Sequence, residues 1–301
     1  MKNLEKISKE NWSLINRFKF YLKVEKGLAE NSINAYVGDI VQFAIFCDDD
    51  FRNVSPENVI EFLNTLYDNK SEDTTVARKR SSLKNFYKFL FTEKIIKEPI
   101  FEKFPSQKIS LKLPNVLSIE EVNVLINSVK TEDKFGLRNR AMLEFLYSTG
   151  ARISEMTNLR AGDFLWNEGL VRLFGKGRKE RYVPISKVAL KYCQTYLNEA
   201  RAEFLKENQS NIMFLNRFGN KLSRMGCWKI FNKYVGLANI KAKVSPHTMR
   251  HSFATHLLQG GANLRVVQTL LGHTSISTTQ IYTNIDRKYL KEIHSLYHPR
   301  A

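Results

Sequence analysis

From Ser245 to Tyr282 the chain reads SPHTMRHSFATHLLQGGANLRVVQTLLGHTSISTTQIY. The stretch gathers a cationic hydrogen-bond donor in Arg250, proton-transfer groups in His247 and His273, and a potential oxygen nucleophile in Tyr282. Local chemistry says how they are held. Ser245 as a cap and Pro246 at the first helical position fix where a helix begins, so the later spacings become positions on its surface. His247 and Arg250 then share a face, while Phe253, Leu257 and Leu258 suit the buried side. Gly260 and Gly261 end that helix, and Val266 to Leu271 supplies a second apolar run that Gly272 stops just before His273. Ser277 and Thr278 suit the cap of a third short helix, with Tyr282 about one turn in. Each residue alone has a structural explanation; the set assembles the groups of an acid–base and nucleophilic centre.

The combination HTMRH, LLGH and TTQIYT resembles the C-terminal signature of the tyrosine recombinases, in the form of the Xer branch. Two upstream segments fit the same resemblance. STGARISEMTNL at 148–159 looks like the family's first-arginine motif, with Arg152 on a helix after a turn at Gly150, and FGKGRKERYVPI at 174–185 looks like its β-hairpin, with Lys176 between two glycines. The fold this implies is mainly α in two domains: an N-terminal four-helix core-binding domain over 1–105, a linker over 106–113, and an α-helical catalytic domain with a small antiparallel β-sheet over 114–301.

Cutting a phosphodiester without a metal requires a nucleophile, neutralisation of the nonbridging oxygens as the pentavalent transition state forms, and a proton for the departing 5′ oxygen. Under the resemblance, Tyr282 attacks to give a 3′-phosphotyrosyl link that a different 5′ hydroxyl can reverse, which exchanges strands through a Holliday junction. Arg152 and Arg250 grip the nonbridging oxygens with the fork geometry of guanidinium. Lys176 is the expected general acid, His247 the base toward Tyr282, and His273 a hydrogen-bond donor to the phosphate. No metal or cofactor is expected. Asp48-Asp49-Asp50 reads as a solvated loop, and His247 and His251 form H-x-x-x-H without the glutamate of a zincin helix.

Composition bounds the partners. The 301 residues carry 47 Lys and Arg against 30 Asp and Glu, a net charge of +17, and nucleic acid is the first polyanion to consider, because neutralising phosphates releases condensed counterions. Residues 1–107 hold 17 basic against 16 acidic side chains, leaving 30 against 14 for the remainder, so the excess lies with the proposed active site. No apolar run suits a membrane span, and MKNLEKISKENW interleaves charges where a signal peptide needs an apolar segment, which points to the cytoplasm. Cys47, Cys193 and Cys227 are odd in number and widely spaced, and read as core or incidental thiols.

The N-terminal segment reads as helices around Leu14–Leu22, Ile33–Phe46, a start at Ser55-Pro56-Glu57, and Thr74–Thr92. Arg78, Lys79, Arg80 and Lys84 crowd the first half of the fourth helix, against its dipole, and are expected to meet DNA phosphates, as are Arg178 and Lys179 of the hairpin. ENSINAYVGDIVQF at 30–43 resembles the second helix of the Xer core-binding domain. Pro99, Pro105 and Pro114 mark an extended linker, with which the resemblance implies a clamp around duplex DNA. Downstream, Ser118 to Glu121 is a capping box, helices are expected at Gly136–Ser148, Val188–Asn208 and Arg224–Gly236, and Leu170–Phe174 with RKERYVPI forms a hairpin.

The tail RKYLKEIHSLYHPRA continues helically with Leu290, Ile293, Leu296 and Tyr297 on an apolar side. It either caps its own domain or, as the resemblance implies, packs into a neighbouring protomer of a tetramer; the ending HPRA resembles the XerD type of the branch more than the XerC type. The implied partners are double-stranded DNA at a dif-like site, further subunits in a homotetramer or a heterotetramer with a XerC-like recombinase, and the activating translocase FtsK. The implied role is chromosome dimer resolution. An integrase or resolvase of a mobile element is the alternative, with a type IB topoisomerase and a catalytically silent DNA-binding protein behind it. No arm-binding segment is visible before residue 14, which favours Xer over the phage integrases that carry one, although a simple plasmid resolvase would look the same.

Overall fold

Serine caps open many of the helices. Asn11 donates its backbone N–H to Ser8 Oγ at 3.1 Å at the start of α1 (Lys9–Val24), and Ser118 and Glu121 cap each other at 3.1 and 2.8 Å at the start of α5 (Ile119–Asn127). The computed structural model describes residues 7–69, 71–104, 116–175, 180–205, 209–242, 244–272 and 284–301. The backbone divides into two units, Met1–Lys112 and Leu113–Ala301.

In the first unit α1, α2 (Glu30–Cys47), α3 (Pro56–Asp68) and α4 (Asp73–Thr92) surround a core of Phe18, Ile40, Phe43, Phe62, Leu83, Phe86 and Leu90. A 3₁₀ turn at Ile100–Lys103 follows. The basic cluster on α4 does not face one way. Lys79 is buried, with its ammonium against Gln42 Oε1 and 3.5 Å from Asp39, which corrects its expected place among the phosphate-facing side chains. The reason is Asp39, itself buried on α2: it draws in Lys79 and Arg78 and takes a 2.7 Å hydrogen bond from Ser82. Arg78 remains half-exposed in its ion pair with Asp39, Arg80 is half-buried, and Lys84 is exposed.

The second unit is built on α6 (Lys134–Thr149), which is buried at every position from Arg138 to Thr149. A helix enclosed on all sides shows no amphipathic stripe. Its buried charges are paired instead, Arg140 with Glu144 and Arg138 with the carbonyl of Leu215 and the amide of Asn139. After α7 (Ile153–Asn158) come β1 (Phe164–Leu165), β2 (Leu170–Phe174) and β3 (Glu180–Pro184), antiparallel in the order β1-β2-β3 with Val171 opposite Val183 and Phe174 opposite Glu180. The hairpin is the expected one; two-residue β1 is too short to leave a sequence pattern.

The helical stretch expected at 188–208 holds α8 (Lys187–Thr195), a π-helical turn at Tyr196–Ala200 and α9 (Arg201–Leu205). Then come α10 (Arg224–Leu237), α11 (Pro246–Gly260), α12 (Leu264–Leu271) and α13 (Asn284–Tyr297). On α11, Phe253 and Leu257 are in the core but Leu258 is exposed, a correction to its expected side. The inner place is taken by His256, whose Nδ1 lies 2.7 Å from the hydroxyl of Tyr147. Cys193 and Cys227 are buried free thiols and Cys47 is half-buried. Among the described residues no helix is long and apolar enough to cross a membrane.

Candidate active site

Gly150 ends α6 in the left-handed region, with φ of 57°. A Cβ there would stand 2.4 Å from the ring of Phe253, so the turn requires glycine for both its backbone and its contact with α11. The turn delivers Arg152 as the N-cap of α7 in extended conformation, one position short of the helix it was expected to occupy. Glu155, three residues on, holds it twice: Oε2 accepts the backbone N–H of Arg152 at 2.8 Å and Oε1 accepts its Nη1 at 3.0 Å. The Arg152 guanidinium keeps 42% of its side-chain surface open and lies 3.5 Å from the carbonyls of Leu271 and Gly272.

Arg250, on the first turns of α11, is buried, and two carbonyls fix its plane. Nη1 donates to Gly150 at 2.7 Å and Nη2 to Leu271 at 2.6 Å. Burial, with Arg152 and Arg181 nearby, pulls its pKa down to about 10 although Glu155 opposes the shift. It therefore stays charged at neutral pH. The two arginines meet at the C-terminal end of α12, where Gly272 caps the helix in the left-handed region. That turn leads straight to position 273.

His247 is exposed on α11, with its Nε2 3.0 Å from Nε2 of His251. Burial, then the charges of His251, Arg250 and Arg152, hold its pKa below the usual imidazole value, so it is mainly neutral at pH 7 and able to accept a proton. Lys176, Arg178, Lys179, His273 and Tyr282, together with the expected cap at Ser277 and Thr278 and the linker 106–113, lie outside the described residues. The strands that frame the Lys176 turn are described, as are the ends that flank 273 and 282.

Two residues joined to this site were not singled out in the sequence. Glu155 was legible in principle as an acid three residues after a cap. Arg181, on β3, had no local signal: it reaches Glu155 through Nη1 and Nη2 at 2.7 and 2.9 Å and donates Nε to the carbonyl of Leu270 at 2.9 Å.

The tail also took one of its two expected positions. His294 on α13 pairs with the carbonyl of Ser148 at 2.8 Å, His298 with that of Tyr147 at 3.2 Å, and Arg300 binds Glu144 and Asn123. It packs on its own domain, with Leu290 buried, Ile293 and Tyr297 half-buried and Leu296 exposed.

Residues 115–288 match the model of the phage integrase family and residues 15–94 match the phage integrase N-terminal SAM-like domain. The chain belongs to the phage integrase family. Among curated members of that family, it is 40% identical over 299 residues to tyrosine recombinase XerD of Chlorobaculum tepidum, covering 97% of this chain and 98% of that protein. XerD of Halalkalibacterium halodurans is 39% identical over 292 residues, covering 95% and 98%. In solved structures, the XerH site-specific recombinase bound to difH substrate in a pre-cleavage complex is similar at 25% identity and a TM-score of 0.66, over 94% of this chain and 84% of that one. The Tn1549 transposon integrase bound to circular intermediate DNA shares the fold at 18% identity and a TM-score of 0.71, over 94% and 99%. This phage integrase family chain is accordingly a tyrosine recombinase of the XerD kind, a site-specific DNA recombinase whose chemistry needs no metal.

Proposed function

We propose that the chain cuts and rejoins double-stranded DNA at a dif-like site through a 3′-phosphotyrosyl intermediate and a Holliday junction, and so resolves chromosome dimers. The observation that carries this reading is the convergence of Arg152 and Arg250 on the carbonyl of Leu271, at distances of 3.5 and 2.6 Å, two residues before His273. Two guanidiniums anchored from behind by carbonyls leave their remaining N–H groups for an anion in front.

In the reaction, the Tyr282 oxygen bonds to phosphorus and its proton passes to His247. The bond from phosphorus to the 5′ oxygen breaks, and Lys176 protonates that oxygen. Arg152 and Arg250 neutralise the nonbridging oxygens, and His273 adds a hydrogen bond. The covalent link conserves the bond energy, so a 5′ hydroxyl from another strand can expel the tyrosine. Lys84, Arg78 and Arg80 of α4, with Arg178 and Lys179, contact phosphates and set register. The likeness to XerD over nearly the whole chain supports assembly with further recombinase subunits, in a homotetramer or with a XerC-like partner, activation by an FtsK-type translocase, and a cytoplasmic site of action beside the chromosome.

The test is a nicked duplex carrying candidate sites from the source genome, incubated in EDTA with wild type and Tyr282→Phe and resolved on a denaturing gel. A covalent adduct from wild type alone is expected, with strand exchange between two sites rather than simple relaxation of one plasmid. An adduct persisting in Tyr282→Phe would show that the nucleophile is another residue.

A further inference from the structure

Arg181 is 6% exposed, and each of its three guanidinium nitrogens donates a hydrogen bond inside the protein. Its two terminal nitrogens fork onto both oxygens of Glu155, and the same carboxylate holds the side chain and backbone N–H of Arg152. Its Nε supports Leu270, the first of three successive carbonyls that point at arginines: Leu270 at Arg181, Leu271 at Arg250, Gly272 at Arg152. A Cβ on Gly272 would stand 3.1 Å from Cδ of Arg181, so the strand side chain lies directly beneath that turn. Burial alone would raise the pKa of Glu155, but hydrogen bonds and charge from Arg181, with the amide and charge of Arg152, hold it below the usual carboxylate value. The carboxylate is thus ionised and committed to two arginines at once.

We propose that Arg181 is a positioning residue for strand cleavage, orienting Arg152 through Glu155 and Arg250 through the Leu270–Gly272 turn. The inference rests on the recombinase reading above, since it assigns work to the arginines that reading uses. A plain buried ion pair would stabilise the fold or not, and would leave the rate per bound complex unchanged. A positioning residue acts on the rate, and acts here through Arg152 and, by way of the turn, Arg250. Lysine cannot replace it, because its donors all sit on one nitrogen and cannot fork across two carboxylate oxygens while reaching the Leu270 carbonyl, as the three nitrogens of the guanidinium do.

The experiment is single-turnover cleavage of the nicked duplex at saturating protein by wild type, Arg181→Lys, Arg152→Lys and the double variant, with DNA affinity measured alongside. Arg181→Lys is expected to cleave about 10²-fold more slowly with affinity within about threefold of wild type. In the Arg152→Lys background the same change is expected to cost less than about a tenth of that factor, because residues acting through one another are not additive. Multiplying losses would overturn the proposal, as would a wild-type rate for Arg181→Lys or a defect confined to DNA affinity. If wild type forms no adduct either alone or with a XerC-like partner added, the recombinase reading fails and the inference with it, an outcome distinct from a normal wild type and an unaffected variant. Should Arg181→Lys unfold, the neutral pair Glu155→Gln with Arg181→Gln removes the unpaired buried charge and carries the same expectation.

Discussion

Arg250 and Gly150, a hundred residues apart in sequence, are joined by a 2.7 Å hydrogen bond from Nη1 of the arginine to the carbonyl of the glycine. That carbonyl is free to accept because Gly150 caps α6, and helix ends leave carbonyls unpaired. The side chain proposed to grip the phosphate is thus seated on the very turn that leads to Arg152. Replacing it with lysine removes one of the two carbonyl anchors and the fork toward phosphate. Arg250→Lys should lower single-turnover cleavage by about 10²- to 10³-fold with DNA affinity little changed. Rapid-quench kinetics on the nicked substrate check this, and a loss below tenfold would argue that Arg250 is structural.

Gly150→Ala tests the turn itself. The substitution meets a left-handed φ of 57° and the Phe253 ring at 2.4 Å. The strain and overlap should cost about 2–4 kcal/mol together, read as a fall in Tm of several degrees. Combining it with Phe253→Leu should recover part of the loss.

With His247 as the proposed base, its titration sets the expected pH dependence of cleavage. Its pKa is depressed by burial and by His251, Arg250 and Arg152, so a neutral base persists below the ordinary imidazole value. The acid limb of the rate profile should lie below about pH 6.5, and His247→Gln should flatten it. An acid limb above pH 7 would assign the base elsewhere.

Docking of the tail should weaken in mild acid. His294, 3% exposed, has its pKa lowered to about 4 by burial, partly offset by its bond to the Ser148 carbonyl, and His298 and His256 are lowered too. Between about pH 6.5 and 4 the unfolded chain binds protons that the folded one refuses, so stability is full above 6.5 and falls as pH drops. His294 and His298 stack with ring centroids 4.6 Å apart, so the pair rather than either ring sets the loss. Below it, protonation of Glu155, whose folded pKa is depressed, removes further stability in the same direction. Urea unfolding at pH 7.5 and 5 should show the difference, and His294→Gln should reduce it.

Burial separates the basic residues of α4. Lys84→Ala should lower the slope of log affinity against log salt by about 0.9, the value of one lost phosphate contact. Lys79→Met should leave the slope unchanged, since its ammonium is already spent on Gln42 and Asp39. Equal effects of the two would place Lys79 at the DNA surface.

What the sequence determined by itself was whatever depends on neighbours three or four residues away. The caps at Ser55, Ser118 and Ser245, the stops at Gly261 and Gly272, the hairpin and the four N-terminal helices are all local, and the motifs carrying Arg152, His247 and Arg250 lie on them. Tertiary structure decided what depends on distant partners. Whether Lys79 faces solvent depends on Asp39, forty residues back on another helix, and whether His256, His294 and His298 are surface or core depends on Tyr147 and Ser148 of α6. The bond between Glu155 and Arg181 spans 26 residues and two kinds of secondary structure, so no periodicity announces it. A buried charge is tolerated only where a partner meets it, and the chain reveals that partner only when it folds.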